Sequence, residues 1–412
     1  MKNIIQLSVV ASTLAFSGGY KIPEQSLNSM ALGAAYVAHT TDADTAYFNP
    51  ANMSFLDDHI QYIEGGITLA HLPSNTYKGV QLLPGVGSIS ANGESEVENL
   101  PIPYFHYVSP SMGNWRYGIS MTAPAGLTKR WKTPVQKLFA EEFTLKNVEL
   151  NPVIAYKINE NFSIGGGIRI VYSEGIVKSD GNAVGIAAKR NMEGNTLEFG
   201  YNLAIAYKPT SDINLAVTYR SNIDLKEDGE ANLYLGAVGQ QYNADVTIPL
   251  PAALNLAVSK TWDNTLTVEF VYERTFWSSY KTLDFNYDRT IQAGLIGAFD
   301  NPKNKNWKDS NTYRIGVTYN MNNKLTLMGG YAYDETPVPT KTLSYELPDS
   351  NANIFSAGFR YKQTKTLSWG AAILYDKKDS RSFSLGKNEN GIVGTFSDGG
   401  AVLMTLGASY RF

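Results

Sequence analysis

Four histidines, His39, His59, His71 and His106, are the chain's whole stock of imidazole. Their separations match no metal-ligand spacing, and none has an evident serine partner, so neither a zinc site nor a hydrolase is expected. There is no cysteine, which removes thiolate nucleophiles, iron–sulfur ligation and disulfides. Asp42-Ala43-Asp44 opens like a calcium loop, but Ala46 and Tyr47 stand where the next ligand and the glycine belong. Gly165-Gly166-Gly167 lies inside a strand pattern, with no Lys-Ser/Thr at P-loop spacing. Its small residues instead leave room for something lying against them. No enzyme, cofactor or metal is expected.

The chemistry that remains is recognition by charge and shape. Arg169, Lys178, Arg220 and Arg314 fall on the polar side of alternating segments. In a low-dielectric cavity such a cation anchors a carboxylate head group; the same charges also suit an internal salt-bridge network or a wet rim. In 124–141, Leu127, Trp131, Val135, Leu138 and Phe139 are spaced roughly as one helical face. An apolar patch on an outer loop suits ligand capture or local packing. Trp115 to Thr122 reads as a strand that runs into Ala123-Pro124-Ala125-Gly126. Proline removes a ladder donor and glycine tolerates unusual dihedrals, so pairing loosens there, as a gap in a wall or as the strand's end. Asn49-Pro50-Ala51 fixes a tight bend.

These residues sit in a chain of 412, with 43% hydrophobic and 18% charged residues, 26 tyrosines and a net charge of −3. That charge argues against a nucleic-acid binder. A bilayer-spanning helix needs ~20 apolar residues, and beyond the extreme N-terminus the longest apolar run is Met30–Ala38. Lys2, the apolar stretch Ile4–Phe16 and Ala15-Phe16-Ser17 read as a signal peptide over 1–17, cleaved after Ser17.

From residue 57 onward the dominant signal is alternation at period two. Val402, Met404, Leu406, Ala408, Tyr410 and Phe412 share one face, and Leu403, Thr405, Gly407, Ser409 and Arg411 the other. Fourteen such segments are predicted. They are joined alternately by tight turns (109–113, 158–161, 209–212, 261–264, 321–324, 363–366) and by long connections (73–97, 124–141, 180–191, 227–243, 285–309, 337–351, 380–398). Segregation of loop length by side is what a membrane meander shows. Tyr156, Tyr207, Tyr319, Tyr361 and Tyr410 each end an apolar face just before a short turn, and Phe162 and Trp369 begin one just after. Rings at that depth form an interfacial girdle. The expected fold is all-β: a 14-stranded antiparallel transmembrane β-barrel over 57–412. Residues 18–56, which lack alternation, are expected to form a small N-terminal hatch inside the lumen.

The stretch Gly19-Tyr20-Lys21-Ile22-Pro23-Glu24-Gln25-Ser26 is followed by Ala31-Leu32-Gly33-Ala34-Ala35 and Asn49-Pro50-Ala51. Pro101-Ile102-Pro103, Pro124-Ala125-Gly126-Leu127, Pro152–Lys157 and a terminal Phe412 complete the set. In these the chain resembles the FadL/TodX family of outer-membrane channels for long-chain fatty acids and hydrophobic aromatics. The resemblance implies passive uptake of a hydrophobic ligand from the external lipopolysaccharide layer. Capture falls to a loop groove (here Leu127, Trp131, Leu138, Phe139), and gating to an interior site near Tyr20 and the Asn49-Pro50-Ala51 hatch. Exit is sideways at a kink in the third strand (Ala123, Pro124, Gly126). Fatty-acid members carry an arginine on strand five after a Val-Tyr pair; Val171-Tyr172-Ser173-Glu174 stands here. That leaves Lys178 and Arg169 as possible head-group anchors. The implied partners are outer-membrane lipid and lipopolysaccharide, with no nucleic acid, in a monomer of the Gram-negative outer membrane. A general diffusion porin or a structural or adhesive barrel is the alternative.

Overall fold

The computed structural model describes residues 18–412; the signal peptide assigned to 1–17 lies outside the described residues. Fourteen strands form the wall: β1 (Tyr62–Leu72), β2 (Glu98–Val108), β3 (Trp115–Thr122, resuming as Gly126–Arg130), β4 (Glu142–Lys157), β5 (Phe162–Asp180), β6 (Ala188–Tyr207), β7 (Ile213–Arg220, resuming as Ile223–Leu235), β8 (Val238–Leu250, resuming as Ala253–Trp262), β9 (Leu266–Thr275), β10 (Ser310–Asn320), β11 (Leu325–Asp334), β12 (Ala352–Lys362), β13 (Leu367–Lys378) and β14 (Gly400–Arg411). Each pairs antiparallel with the next. β14 returns to β1, with Ile63 opposite Tyr410 and Leu69 opposite Met404, so the barrel is closed.

Alternation decides which side of the wall each residue faces. On β14, Leu403, Thr405 and Ser409 are buried inward, while Met404 is 46% and Leu406 64% exposed outward. Leaving a large apolar side chain in water costs about 1.5–3 kcal/mol. A belt that also includes Ile164, Ile168, Leu203, Val217, Phe270 and Ile373 is therefore stable only against hydrocarbon. No helix among the described residues is long and apolar enough to cross a membrane. Rings cluster at the short-turn end: Trp115 with Tyr156 (4.5 Å between centroids), Phe162 with Tyr207 (6.3 Å) and Tyr361 with Trp369 (5.8 Å).

Several long connections turn out to be structured. Residues 227–243, expected as a loop, are the tips of β7 and β8, paired out to Leu235 opposite Val238. The outward residues there, Asp224, Lys226, Asp228 and Glu230, are charged and exposed, so this part of the wall stands above the hydrocarbon and lost the apolar face by which a strand was recognised. The segments 73–97 and 380–398 pair with one another, Thr76–Leu83 lying against Ile392–Ser397, in a small external sheet. In 124–141 the helix covers only Pro134–Ala140; Leu127 lies in the resumed β3.

Residues 18–56 lie against the inner face of the wall. A helix, Leu27–Ala31, is capped by Ser26, whose hydroxyl accepts from the Ser29 amide at 3.2 Å. Glu269 on β9 accepts three successive backbone amides, from Val37 (2.6 Å), Ala38 (2.7 Å) and His39 (2.9 Å). Two wall glycines are required by contact. A Cβ on Gly165 would sit 2.6 Å from the Ala51 nitrogen, and one on Gly330 2.2 Å from the Leu32 carbonyl carbon.

The ladder lapses in several places, among them β2–β3 and β6–β7. β2 pairs with β3 only over Phe105–Val108 opposite Gly118–Met121, which leaves Glu98–Tyr104 without a β3 partner in the ladder. β6 pairs with the first part of β7 over Asn202–Tyr207 and with the second over Ala188–Asn195; the ladder lapses between.

Candidate functional site

The β2–β3 parting is set by Ala123-Pro124-Ala125. Pro124 has no amide hydrogen, and on the facing strand Pro101 and Pro103 have none either, as suits an edge strand. Freed backbone groups must find partners elsewhere, and the N-terminal segment supplies them. The Ile22 amide donates to the Pro124 carbonyl at 2.9 Å, and the Gly126 amide to the Tyr20 carbonyl at 2.8 Å. Lys21 is thereby bridged to Ala125. The Gln25 side chain serves Ala123 twice, donating to its carbonyl at 2.8 Å and accepting from its amide at 3.0 Å. His106 on β2 donates from Nε2 to the Gln25 carbonyl at 2.9 Å, while its Nδ1 accepts from the Ser120 hydroxyl at 2.9 Å. A carbonyl can only accept, which fixes the tautomer.

Just beyond this point, toward the long-loop end, is a narrow cavity lined by Tyr20, Leu127, Phe143, Leu145, Ile248 and Trp307 among others. Tyr20 is 2% exposed. Its ring lies edge-on to Trp277 (4.8 Å) and near Trp307 (5.7 Å), and its hydroxyl donates to the Pro249 carbonyl. The polar end of the cavity is an ion pair, Lys305 with Glu346, both in external loops. Burial alone would raise the Glu346 carboxyl, but the Lys305 ammonium and the Ser344 hydroxyl hold it below its ordinary value. Burial pushes the neighbouring Tyr280 phenol well up, so it stays neutral. Lys305, Trp277, Trp307 and Gln25 were not singled out from sequence. A lysine in the polar run Lys303-Asn304-Lys305 gives no hint that it turns inward.

The other sequence-derived candidates fall in distinct places. Asn49 donates from its side chain to the Val37 carbonyl at 2.9 Å, Pro50 opens the 3₁₀ turn Pro50–Phe55, and the Ala51 carbonyl accepts from Ser163 at 2.6 Å. Of the supposed capture patch, only Leu127 lines the cavity. Trp131 is fully buried with its indole N–H on the Tyr345 carbonyl (3.0 Å), Phe139 lies 5.6 Å from the Tyr345 ring, and Leu138 packs at Gly181. The exposed apolar face expected there is covered by the other long loops, whose folding was not legible. Arg169 is buried and bound to Glu149 at 2.9 Å. Lys178, expected on the lumen side, lies on the outer face and pairs with Glu142 at 2.8 Å. The strand-five Glu174 also faces outward, where it accepts from Tyr172 (3.0 Å). Arg220 is tied to Glu149 and Arg314 to Glu273. Arg411, on the polar face of the last strand, reaches Asp42 at 3.1 Å.

The model of the outer membrane protein transport family (OMPP1/FadL/TodX) matches residues 8–412. The chain belongs to the FadL/TodX family. It is 24% identical over 415 residues, 89% of each chain, to a long-chain fatty acid transport protein of Escherichia coli O6:H1. The crystal structure of a Pseudomonas aeruginosa FadL homologue superposes with a TM-score of 0.79 at 20% identity, over 96% of this chain and 99% of that one. The Ralstonia pickettii toluene transporter TbuX gives 0.68 at 16%, over 94% and 98%. This FadL/TodX protein is thus a 14-stranded outer-membrane transport protein of the Gram-negative envelope, and its family transports rather than catalyses.

Proposed function

We propose that this chain is a passive channel for hydrophobic molecules, long-chain fatty acids or hydrocarbons, in which residues 18–56 act as the hatch and Ala123–Gly126 line a lateral exit. One observation carries the reading: Tyr20 takes part in both places. Its ring lines the cavity, and its carbonyl accepts from Gly126 at the parted wall. A ligand filling the cavity competes with the Tyr20 ring for its aromatic partners. Displacing Tyr20 withdraws the backbone groups that stop the parting. Ligand concentrated from the lipopolysaccharide layer by the external loops then leaves sideways into the bilayer, driven by its gradient and by consumption downstream. The relatives named for fatty-acid and toluene transport support this cargo class.

A disulfide tests it. Lys21 and Ala125 form a non-hydrogen-bonded antiparallel pair flanked by the Ile22 and Gly126 bonds. Such pairs bring Cα atoms to about 4.5 Å, within disulfide reach, and the chain has no competing cysteine. In the Lys21→Cys/Ala125→Cys variant, oxidation should reduce uptake of radiolabelled oleate or of toluene by at least about tenfold, with recovery on reduction. Equal uptake in both redox states would refute hatch-gated exit.

A further inference from the structure

The second parting of the wall holds a group that the protein leaves unsatisfied. Glu227, on the resumed part of β7 where its ladder with β6 restarts, is 3% exposed and points inward. Neither of its carboxylate oxygens makes a hydrogen bond of normal geometry among the described residues, and the one donor near it is the Ser173 hydroxyl, whose proximity lowers the carboxyl without offsetting its burial. A buried carboxylate without a partner is costly, and nearby Glu174, Asp228 and Glu198 add repulsion. The other inward charges named above are paired, Glu269 by three amides and Glu149 by two arginines.

Glu227 lines a narrow pocket whose remaining walls include Phe143, Met192, Val246, Ile248 and Phe285. None of its lining residues is cationic; Arg190 lies behind the wall over the Phe285 and Phe299 rings at 4.8 and 5.2 Å, with no carboxylate paired to it and its Nε unpartnered among the described residues. Phe143 and Ile248 also line the Tyr20 cavity, so the two spaces adjoin. In that second space the only lysine is already neutralised by Glu346. Taken together, the route offers apolar surface, a buried acceptor short of donors, and no unpaired cation among its lining residues.

We propose that this cavity is a head-group subsite in which Glu227 receives the hydrogen-bond-donating or cationic head of an otherwise apolar ligand, an alcohol, phenol or amine, and disfavours carboxylates. The proposal rests on the channel reading above and narrows its substrate class. An apolar tail extends past Phe143 and Ile248 toward Tyr20, and a head N–H or O–H supplies the bond that Glu227 lacks. A carboxylate in the same place adds like charge to an acidic wall.

The test is equilibrium binding of dodecylamine, dodecanoate and dodecane to the full mature chain in nanodiscs at pH 8, read by tryptophan fluorescence with empty nanodiscs subtracted. A single charge-assisted bond predicts that dodecylamine binds roughly tenfold tighter than dodecanoate. Glu227→Gln and Glu227→Ala should both bring that ratio to about threefold or less while leaving dodecane binding unchanged, with folding checked by heat-modifiable gel mobility. A wild-type ratio near one, or a ratio unaltered in both variants, overturns the subsite but leaves the channel reading standing if dodecane binds. Failure of all three probes to bind overturns both.

Discussion

Between β2 and β3 the unpaired backbone of Ala123–Gly126 is met mostly by Tyr20, Ile22 and Gln25, with the Ala125 amide donating to the Asn147 side chain on β4. Between β6 and β7 the ladder lapses over a comparable stretch, yet no residue of the N-terminal segment lines the pocket of Glu227, whose oxygens have only the Ser173 hydroxyl near them. Both are interruptions in a sheet whose stability depends on satisfied backbone groups. They differ in who supplies the missing partner. At the first the protein does so itself, and reversibly, because the bonds come from a separate segment of chain. At the second the protein offers Glu227 only the nearby Ser173 hydroxyl, and a further donor is what the proposed ligand would bring. On the reading proposed above, the first parting is a gate and the second a site.

The largest effect should come from removing the gate. Deleting residues 19–48 behind an intact signal peptide should convert a closed barrel into a stable ohmic pore in planar bilayers. If the shortened protein conducts no better than the full chain, the N-terminal segment is not what fills the lumen.

The next contrast sets one substitution at two positions. Glu269→Gln removes a carboxylate that takes three amides, and should loosen residues 37–39 by about 2–4 kcal/mol. Faster limited proteolysis within the N-terminal segment would register it. Glu227→Gln removes a charge with no partner and should leave the melting temperature unchanged or raised. Equal destabilisation at both sites would erase the distinction drawn between them.

Pro124→Gly should change uptake rate severalfold while altering barrel stability by no more than about 1 kcal/mol, since the native backbone there already lacks ladder bonds. Smallest of all is the acid response of the external loops. The Glu346 carboxyl is held low by Lys305, so its stabilising contribution is present above the unfolded-state value of about 4.3 and is lost as pH falls through the lower folded value. The fluorescence of Trp277 and Trp307 should shift only in that acid window and not near neutrality.

The barrel itself was legible because lipid imposes a rule that each strand obeys independently. One face must be apolar, so Met404, Leu406 and Tyr410 announce their side with no knowledge of their neighbours. The same rule explains the misses. Where β7 and β8 rise above the hydrocarbon the outer face becomes Asp224, Lys226 and Asp228, and the strand signal fades into that of a loop. The Pro124 interruption was visible as a missing donor, but what fills it was not. Gln25 and Ala123 meet across 98 positions of chain, and no local pattern encodes such a pairing.

By itself, then, the sequence determined strand number, membrane placement, the absence of catalytic groupings and the position of the third-strand break, because each follows from residue type at short range. Only the tertiary structure decided which charges are spent and which are free. Arg169 and Lys178 suited either a head-group anchor or an ion pair until Glu149 and Glu142 were found beside them, and Glu227 stood in a stretch read as a loop until it was found enclosed in the wall. The electrostatic worth of a charge is set by what closes around it, and closure of a barrel joins residues far apart along the chain.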